Sequence, residues 1–321
     1  MNAIRSPVAW IVIASACLAG YGLSSWLASD SHSPSPFAVG VYDRAHISEA
    51  SGLVRSRTQE NVFWTHNDSG AEAILYATTR SGRLRGMFFI ENVTATDWEA
   101  ITTDGRGRLF VGDFGNNGNH RQDLAVHIVD EPPVTQDKAV DALRSIKASG
   151  TLYFRYPEQT AFPARQKNFD AEALFWAQSG QLGHGTLFIL TKHRSDSMTS
   201  LYRFNQTVAG DSVLDLELIA QADLGGGPKG RGLVTGVAVA PSGRSIAVLT
   251  YYAVFIYAVD EPTDNYLGRR IAVIDLVADV TKQVEAISWT DSGLIVSNEQ
   301  GELFLIPEPE HQTRFPADPS P

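Results

Sequence analysis

The feature of this sequence that most constrains its fold is a short motif that recurs five times along the chain. Each copy contains a polar residue, then Ala or Gly, then an aliphatic residue, and successive copies begin 48, 73, 63 and 50 residues apart. Recurrence at spacings of this size is typical of proteins built from repeated structural units. The five triplets are Ser51-Gly52-Leu53, Glu99-Ala100-Ile101, Glu172-Ala173-Leu174, Thr235-Gly236-Val237 and Glu285-Ala286-Ile287.

Each triplet opens a block that divides into four short strands. In the second block these are EAITTD, RLFVGD, LAVHIVD and TLYFRY, which are apolar or alternating runs bounded by turn-forming residues. Four-stranded units of roughly 50 residues are typical of propeller blades. The sequence therefore predicts an all-β fold, a five-bladed β-propeller over residues 37–308. Residues 138–147, KAVDALRSIK, lie in the longest insertion and have a helical pattern.

The two ends of the propeller are predicted to meet in one blade. The fifth block ends after ELFLIP, one strand short of a complete blade, and the segment FAVGVYD at residues 37–43 precedes the first triplet. We expect this N-terminal strand to complete the fifth blade, because an incomplete sheet would expose an unpaired edge. The Pro-rich residues 309–321 are expected to form a disordered tail.

The first 28 residues resemble a targeting segment. Arg5 precedes an apolar stretch that ends near Ala28, and Ala14-Ser15-Ala16-Cys17 resembles a bacterial lipobox. This pattern predicts a lipoprotein anchored at Cys17, but the stretch is also long enough for an uncleaved membrane anchor, or it is removed to release a soluble protein. All three alternatives predict an exported protein, and the first two attach it to the membrane of the cell envelope. Residues 29–36, SDSHSPSP, are expected to be a linker.

Charge and cysteine content exclude several classes of function. The net charge is −10, which argues against nucleic acid as a partner because phosphate binding requires a basic surface. The composition suits a cation or a cationic ligand. Cys17 is the only cysteine, so an internal disulfide and a cysteine metal cluster are excluded.

The polar residues of the triplets are expected to form a ring around the central channel. The innermost strand of each blade lines this channel, so a polar residue at the start of each points at one axis. The triplets supply no basic partner, and three carboxylates would repel one another unless a cation joins them. Calcium takes six to eight oxygen ligands, whereas zinc and copper prefer the His or Cys that the ring lacks. The alternative to a metal site is that these acids are solvated or form hydrogen bonds with neighbouring backbone groups. The candidate metal ligands are Ser51, Glu99, Glu172, Thr235 and Glu285.

The ring residues, one per blade, follow the order Ser, Glu, Glu, Thr, Glu. This arrangement in a five-bladed propeller resembles the calcium-activated nucleotidases, or soluble apyrases. The resemblance implies a central Ca²⁺ held by the five ring residues, and hydrolysis of nucleoside di- and triphosphates. Thr235 stands where that family has Ser and keeps the hydroxyl group. The motifs HNDSG, VGDFGNN and LTKHR resemble exported bacterial propeller proteins without an assigned activity.

The loops that follow the second strand of each blade, and the loops between blades such as GGGPKGRG at residues 225–232, are expected to surround the ring. They are rich in polar residues, and a concave face with convergent polar groups is the usual place for a binding site. Asp68 and Asp113 are the candidate general bases, able to orient water near a metal-polarised phosphate. The candidate substrate-binding residues, of which the basic ones suit an anionic small molecule, are His66, Asn67, Asn116, Asn117, Arg121, Lys192, Arg194, Lys229, Arg231 and Tyr251.

Three functions remain open at this point. The first is an envelope-associated module that binds a ligand or a protein partner of unknown identity, with calcium as a structural ion. The second is a calcium-dependent hydrolase of nucleotides or other phosphate compounds. The third is a different propeller enzyme acting on sugars or esters. The chain has no GxSxG or HExxH motif, and a propeller fold alone does not decide among these functions.

Overall fold

Five sheets follow one another along the chain in the computed structural model, which describes residues 35–135, 139–225, 232–259 and 264–307. The predicted five-bladed β-propeller is therefore confirmed. The targeting segment with Cys17, nearly all of the linker, the tail, Lys229 and Arg231 lie outside the described residues. Within the described ranges, no helix is long and apolar enough to cross a membrane.

The first half of the described chain contains β1 (Gly40–Val41), β2 (Ala50–Arg55), β3 (Phe63–Asn67), β4 (Ile74–Thr78), β5 (Leu84–Ile90), β6 (Trp98–Thr103), β7 (Arg108–Asp113), β8 (Ala125–Asp130), β9 (Leu143–Ile146) and β10 (Ala148–Arg155). The second half contains β11 (Ala171–Gln178), β12 (Gly185–Thr191), β13 (Met198–Arg203), β14 (Gly210–Asp215), β15 (Glu217–Asp223), β16 (Val234–Val239), β17 (Ser245–Thr250), β18 (Ala253–Ala258), β19 (Arg269–Asp275), α1 (Ala278–Thr281), β20 (Val284–Thr290), β21 (Gly293–Asn298) and β22 (Glu302–Pro307).

The blades begin with the five predicted innermost strands β2, β6, β11, β16 and β20. The second blade runs β6-β7-β8-β10, which matches the four strands expected from its sequence. Two further strands pair in parallel on outer edges: β9 joins β5 of the first blade, and β14 joins β10 of the second. These strands tie each of the first two blades to a segment that comes later in the chain.

The helix expected at residues 138–147 is wrong where the structure describes this segment. Residues 143–146 form β9, and residues 140–141 form a turn. Residues 143–146 form a strand rather than a helix because they pair in parallel with Met87 to Ile90 on the outer edge of β5. Tertiary pairing of this kind outweighs weak local propensity.

The fifth blade is closed by the N-terminal strand, as expected. β1 pairs antiparallel with β22, with Gly40 opposite Leu303. The Val39 N–H donates to the Leu303 carbonyl at 2.7 Å, and the Tyr42 N–H donates to the Gly301 carbonyl at 2.8 Å. The two ends of the propeller are thus joined by backbone hydrogen bonds.

A β-bulge interrupts every innermost strand at the triplet. In four blades the unpaired residue is the polar ring residue itself: Glu99, Glu172, Thr235 or Glu285. In the first blade it is Gly52, next to Ser51. A bulge inserts one extra residue and re-aims its side chain. This irregularity explains how side chains at strand starts turn toward the channel.

Below the polar ring the channel narrows to small residues and then to aliphatic ones. The second triplet residues are Ala or Gly, and the third are Leu, Ile or Val. The cavity here has a volume of about 10 Å³, which is the space of roughly one water molecule. Five interlocking hydrophobic cores fill the space within and between blades. The channel along the propeller axis is therefore narrow, with a mouth at each face.

Candidate functional site

The polar ring lies at one mouth of the channel, which we call the acidic mouth. Glu99, Glu172, Thr235 and Glu285 all line the narrow central cavity, and Ser51 is buried beside it. The residues of the five triplets thus converge on one axis, because the bulges place equivalent positions of neighbouring blades side by side. Their side chains do not make equivalent contacts.

The two ring hydroxyl groups join neighbouring blades. Ser51 Oγ donates to the Glu99 carbonyl at 3.0 Å, and Thr235 Oγ1 donates to the Val284 carbonyl at 2.8 Å. Each bond connects the innermost strand of one blade to that of the next. The donor capacity of both hydroxyl groups is therefore used, while their oxygen lone pairs remain available to a cation.

The triplets supply no base of their own, but Glu172 pairs with Lys192, which directly follows β12. Lys192 Nζ lies 2.5 Å from both carboxylate oxygens and donates to the Tyr251 hydroxyl at 2.9 Å. Burial favours the neutral acid and raises the pKa of Glu172, while Lys192 opposes this shift. Burial alone would lower the pKa of Lys192, but Glu172 raises it above the ordinary value. The two side chains form a buried ion pair.

A second ion pair extends this neutralised side of the mouth. Asp170 is fully buried and accepts hydrogen bonds from Arg194 Nε at 2.8 Å and from the Asn116 N–H at 2.8 Å. Arg194 also reaches Glu172 with Nη2, at 3.4 Å. Asp170, Glu172, Lys192 and Arg194 therefore form a compact group of two acids and two bases.

The opposite side of the mouth holds acids without such compensation. Asp68, Asp97 and Glu99 offer carboxylate oxygens that all lie within 4.8 Å of one another. Among the described residues, no basic side chain lies within ion-pair distance of these three carboxylates. We refer to Asp68, Asp97 and Glu99 as the acidic triad.

The electrostatics of the acidic triad reflect this lack of compensation. Burial and then the neighbouring Asp68 raise the pKa of Asp97 to about 6, although Arg121 acts in the other direction. Burial, followed by Glu172 and Asp68, raises the pKa of Glu99 well above its usual range. Burial also raises the pKa of Asp68. A bound cation would stabilise the ionised form of these three clustered carboxylates and so offset their mutual repulsion.

The backbone around the acidic triad leaves little room beside the carboxylates. Gly115 packs so closely that a methyl group there would overlap the side chains of Glu99 and Asp97. Its N–H donates to the Asp97 carbonyl at 3.1 Å. The second residue after β7 is thus restricted to glycine by the same carboxylates that could hold a metal. The donor set of three carboxylates suits a hard cation such as Ca²⁺.

Glu285 occupies an intermediate position in the ring. Burial and the nearby Glu172 raise its pKa, while Lys192 acts to lower it. Glu299 and Gln283 lie beside it, and the Gln283 amide donates to Glu299 at 3.0 Å. Glu285 is therefore closer to the neutralised side of the mouth than to the acidic triad.

The candidate base Asp113 is held by hydrogen bonds on both oxygens. It accepts from the backbone N–H groups of Thr96 and Asp97 at 3.0 Å, and from Arg121 Nη2 at 2.9 Å. Burial alone would raise the pKa of Asp113, but these bonds and the side chain of His127 lower it. Asp113 and Arg121 thus fix the loop that presents Asp97.

The other predicted binding residues differ in burial and in the groups to which they bind. His66 is fully buried against Trp98, its Nδ1 lies 3.0 Å from the Asn67 carbonyl, and burial lowers its pKa to about 4. Asn67 bonds to the Glu49 N–H and the His46 carbonyl. Buried Asn116 binds the backbone of the 116–121 loop, whereas Asn117 is exposed. Most of these polar groups stabilise loops around the mouth.

Two residues of the site, Asp97 and Asp170, were not among the candidates from sequence. Both stand two positions before a ring glutamate, in DWEAITTD and DAEALFWA. Aligning the two copies would have shown this shared aspartate. Lys192 and Asp68 also occupy equivalent positions in their blades. Each directly follows the last residue of the second strand that pairs with the innermost strand. That rule depends on the bulges, which sequence does not reveal.

Comparison with known proteins finds only distant similarities to solved structures. No family model and no curated protein matches this chain. The Dos1 propeller is 14% identical over 81% of this chain, which spans 59% of the Dos1 chain, with a TM-score of 0.35. The Cps50 (Swd1) β-propeller domain of Myceliophteria thermophila is 9% identical, covering 80% of this chain and 95% of that one, with a TM-score of 0.38.

A third solved structure is a Bacteroides fragilis protein assigned as a 6-phosphogluconolactonase. It is 12% identical over 77% of this chain and 76% of its own, with a TM-score of 0.40. Similarities this low give no information about activity. The order and pairing of the strands identify the protein as a five-bladed β-propeller.

Proposed function

We propose that this protein is a calcium-binding propeller module that binds a ligand or partner at its acidic mouth. The observation that carries the proposal is the acidic triad, in which buried Glu99 meets Asp97 and Asp68 without a basic partner among the described residues. A divalent cation there would offset the cost of three clustered carboxylates. It would also bring together the first and second blades, which supply Asp68 and the other two acids.

The proposed ligand set differs from a symmetric ring of five residues. Lys192 neutralises Glu172, and the hydroxyl groups of Ser51 and Thr235 bond to backbone carbonyls. The carboxylates of the acidic triad are the groups best placed to hold the ion. Calcium tolerates irregular oxygen coordination, so water or a bound ligand would complete its shell.

A binding function is favoured over hydrolysis by the state of the basic residues. A phosphate substrate would need free cations near the metal. Three of the five Lys and Arg candidates are described by the structure, and these three, Lys192, Arg194 and Arg121, are instead paired with Glu172, Asp170 and Asp113. These acids compete with any incoming phosphate, so we propose hydrolysis only as the alternative outcome of the test below.

The test is thermal unfolding of metal-free protein with EDTA, Ca²⁺ or Mg²⁺. We expect Ca²⁺ to raise Tm by binding linkage, and Glu99→Gln to remove most of that rise. Glu285→Gln is the matched control, since it changes a ring carboxylate outside the acidic triad and should retain the rise. Equal loss in both variants would favour the five-membered ring, and no rise in wild type would refute the calcium site.

Phosphate release is measured in the same samples with nucleoside diphosphates as substrates. The binding module predicts no turnover at any calcium concentration. Turnover that rises with calcium occupancy and is lost in Glu99→Gln would establish the hydrolase in its place.

The location that we propose is the cell envelope, on the strength of the N-terminal sequence. Arg5, the apolar stretch and the Ala14–Cys17 segment are the supporting features. Metabolic labelling with a radioactive fatty acid tests the lipoprotein form, and label that persists in Cys17→Ser would contradict it. Membrane association without label would favour the uncleaved anchor.

A further inference from the structure

The second mouth of the channel opens into a large cavity on the face opposite the acidic mouth. This cavity has a volume of about 980 Å³ and is lined by residues at the ends of all five innermost strands. Its size is at the upper end of the range for small-molecule pockets. The aliphatic part of the channel separates it from the acidic triad. We call it the arginine mouth, after the residues that surround it.

The charge of the arginine mouth is opposite to the net charge of the protein. Four arginines line it: Arg55, Arg57, Arg244 and Arg269. The one carboxylate in its lining, Asp104, is already paired with Arg108 at 2.7 Å. Positive charge concentrated at one cavity of a chain with net charge −10 favours an anionic occupant.

Arg57 is the arginine of this cavity whose positive charge is least compensated. Its neighbour Arg55 binds Asp291 through two hydrogen bonds of 2.6 and 2.9 Å. In the part of the chain that the structure describes, Arg57 has no hydrogen-bonded or ion-paired partner. Burial and the charge of Arg55 lower its pKa, and Asp291 only partly opposes this. A bound anion would stabilise the charged guanidinium of Arg57.

Aromatic side chains form part of the walls. Trp176 is half-buried and stacks on Phe110, with ring centroids 5.2 Å apart. Trp289 donates from Nε1 to the Ala238 carbonyl at 3.2 Å, which fixes its orientation. Rigid aromatic surfaces of this kind contact the apolar part of a ligand at low entropic cost.

We propose that the arginine mouth binds a small organic anion. Its carboxylate or phosphate group is held by the guanidinium of Arg57, and its apolar part lies against Trp176 and Trp289. The site is distinct from the proposed calcium site, because the narrow part of the channel lies between the two mouths. An acidic ligand at this face and a cation at the other would occupy the same molecule together.

The test uses anilinonaphthalene sulfonate, an aromatic anion whose fluorescence reports binding. We expect one dominant site, and we expect Arg57→Ala to weaken binding about tenfold, the loss for one charge-assisted hydrogen-bonded contact. Arg57→Lys should keep part of the affinity. Arg83→Ala is the matched control, since Arg83 is also exposed but lies outside this cavity and should leave binding unchanged.

Competition distinguishes the chemistry of the ligand. Phenyl phosphate and phenylacetate should displace the probe, whereas benzyl alcohol should not, and the stronger of the two anions identifies the preferred head group. Calcium should have no effect on probe binding, which separates this site from the acidic mouth. Equal affinity of wild type and Arg57→Ala, or displacement by benzyl alcohol at the same concentration, would overturn the proposal.

Discussion

At the scale of single residues, the acidic mouth is divided into a compensated half and an uncompensated half. Lys192, with 2% of its side chain exposed, pairs with Glu172, and Arg194 pairs with Asp170. Asp68, Asp97 and Glu99 have no equivalent bases among the described residues. These five acids therefore divide into one internal ion-pair group and one candidate metal site. Removing a base and removing an acid should consequently have different effects.

The first prediction concerns the buried base. Lys192→Met should destabilise the protein by about 3–5 kcal/mol at neutral pH, because buried Glu172 would keep only its longer contact with Arg194, at 3.4 Å. Glu172→Gln in the same chain should recover part of this loss. Urea unfolding of the two single variants and the double variant gives the coupling energy.

Arg155→Ala is the control for this prediction. Arg155 forms a surface ion pair with Asp215, which is exposed and should contribute little. A Lys192→Met variant as stable as Arg155→Ala would contradict the buried pair.

The second prediction is a pH dependence that belongs to Asp97. Its pKa is about 6 in the folded protein against an ordinary value of 3.8, so the folded state takes up a proton before the unfolded state does. In metal-free protein the contribution of Asp97 to stability therefore improves as pH falls from 7 through 6. Asp97→Asn should be more stable than wild type at pH 7.5, and this advantage should shrink by pH 5.

The difference between the two proteins is the quantity to measure. His66 acts in the opposite direction, because its lowered pKa of about 4 costs stability as pH falls below 6.5, but it is present in both. Saturating calcium should reverse the order at pH 7.5. A difference in Tm that stays constant from pH 5 to 7.5 would show that Asp97 is not the titrating group.

At the scale of elements, bulges in the innermost strands connect the repeat to the site. The bulge places Glu99, Glu172, Thr235 and Glu285 outside the regular ladder and beside the channel. In the first blade the bulged residue is Gly52, with φ of 63°, a conformation that favours glycine. The fold thus aims the ring residues by a backbone irregularity rather than by side-chain length.

The third prediction tests this bulge. Gly52→Ala should destabilise the protein by about 2–5 kcal/mol, because a left-handed conformation is costly for alanine and the added Cβ would lie 2.5 Å from His66 Nε2. Gly70→Ala is the matched control, with φ of 76° and no atom within 4 Å of the added Cβ. It should cost only about 1–2 kcal/mol. Equal losses in chemical denaturation would show that the bulge has no packing role.

The repeat was the part of the architecture that sequence could predict. The recurring triplets and the short apolar runs follow directly from strand periodicity, so they gave the blade number, the innermost strands and the closing strand. Residues 143–146 were missed because their pairing with β5 depends on a distant part of the chain. Local pattern carries no information about such contacts.

The site could be predicted only in outline. The five ring positions were identified because they repeat, and they do meet at one mouth. Lys192 was identified as a basic residue of the rim, but its approach to Glu172 depends on which way a bulged strand turns its side chains. Asp97 was missed because it does not repeat in every blade. Residues that break the symmetry of a repeat are thus the hardest to recognise from sequence.

At the scale of the whole molecule, the propeller depends on closing its ring. β1 joins the two ends of the described propeller through its pairing with β22. Gly40 lies directly against the backbone of Ser81 in the first blade, where any larger residue would overlap. Closure therefore couples the fifth blade to the first and covers the edge of β22.

The fourth prediction removes this closing strand. A chain beginning at residue 44 should unfold at a lower temperature than one beginning at residue 35, and it should self-associate because the edge of β22 is open. Size-exclusion chromatography and thermal unfolding measure both effects.

Single substitutions refine the closure test. Val39→Pro removes the N–H that donates to Leu303, whereas Val39→Ala keeps it and changes only a half-exposed side chain. Proline should be the more destabilising of the two. A shortened chain that remains monomeric with unchanged Tm would contradict the role assigned to β1.

The calcium stoichiometry of the purified propeller is the decisive measurement for the proposed metal centre. Isothermal titration of metal-free protein with Ca²⁺ should give one site per chain, and binding should be lost in Glu99→Gln and Asp97→Asn but retained in Glu285→Gln. That result would establish the acidic triad as a metal centre on the two adjacent blades. The absence of binding in wild type, or binding that survives Glu99→Gln and Asp97→Asn together, would contradict it.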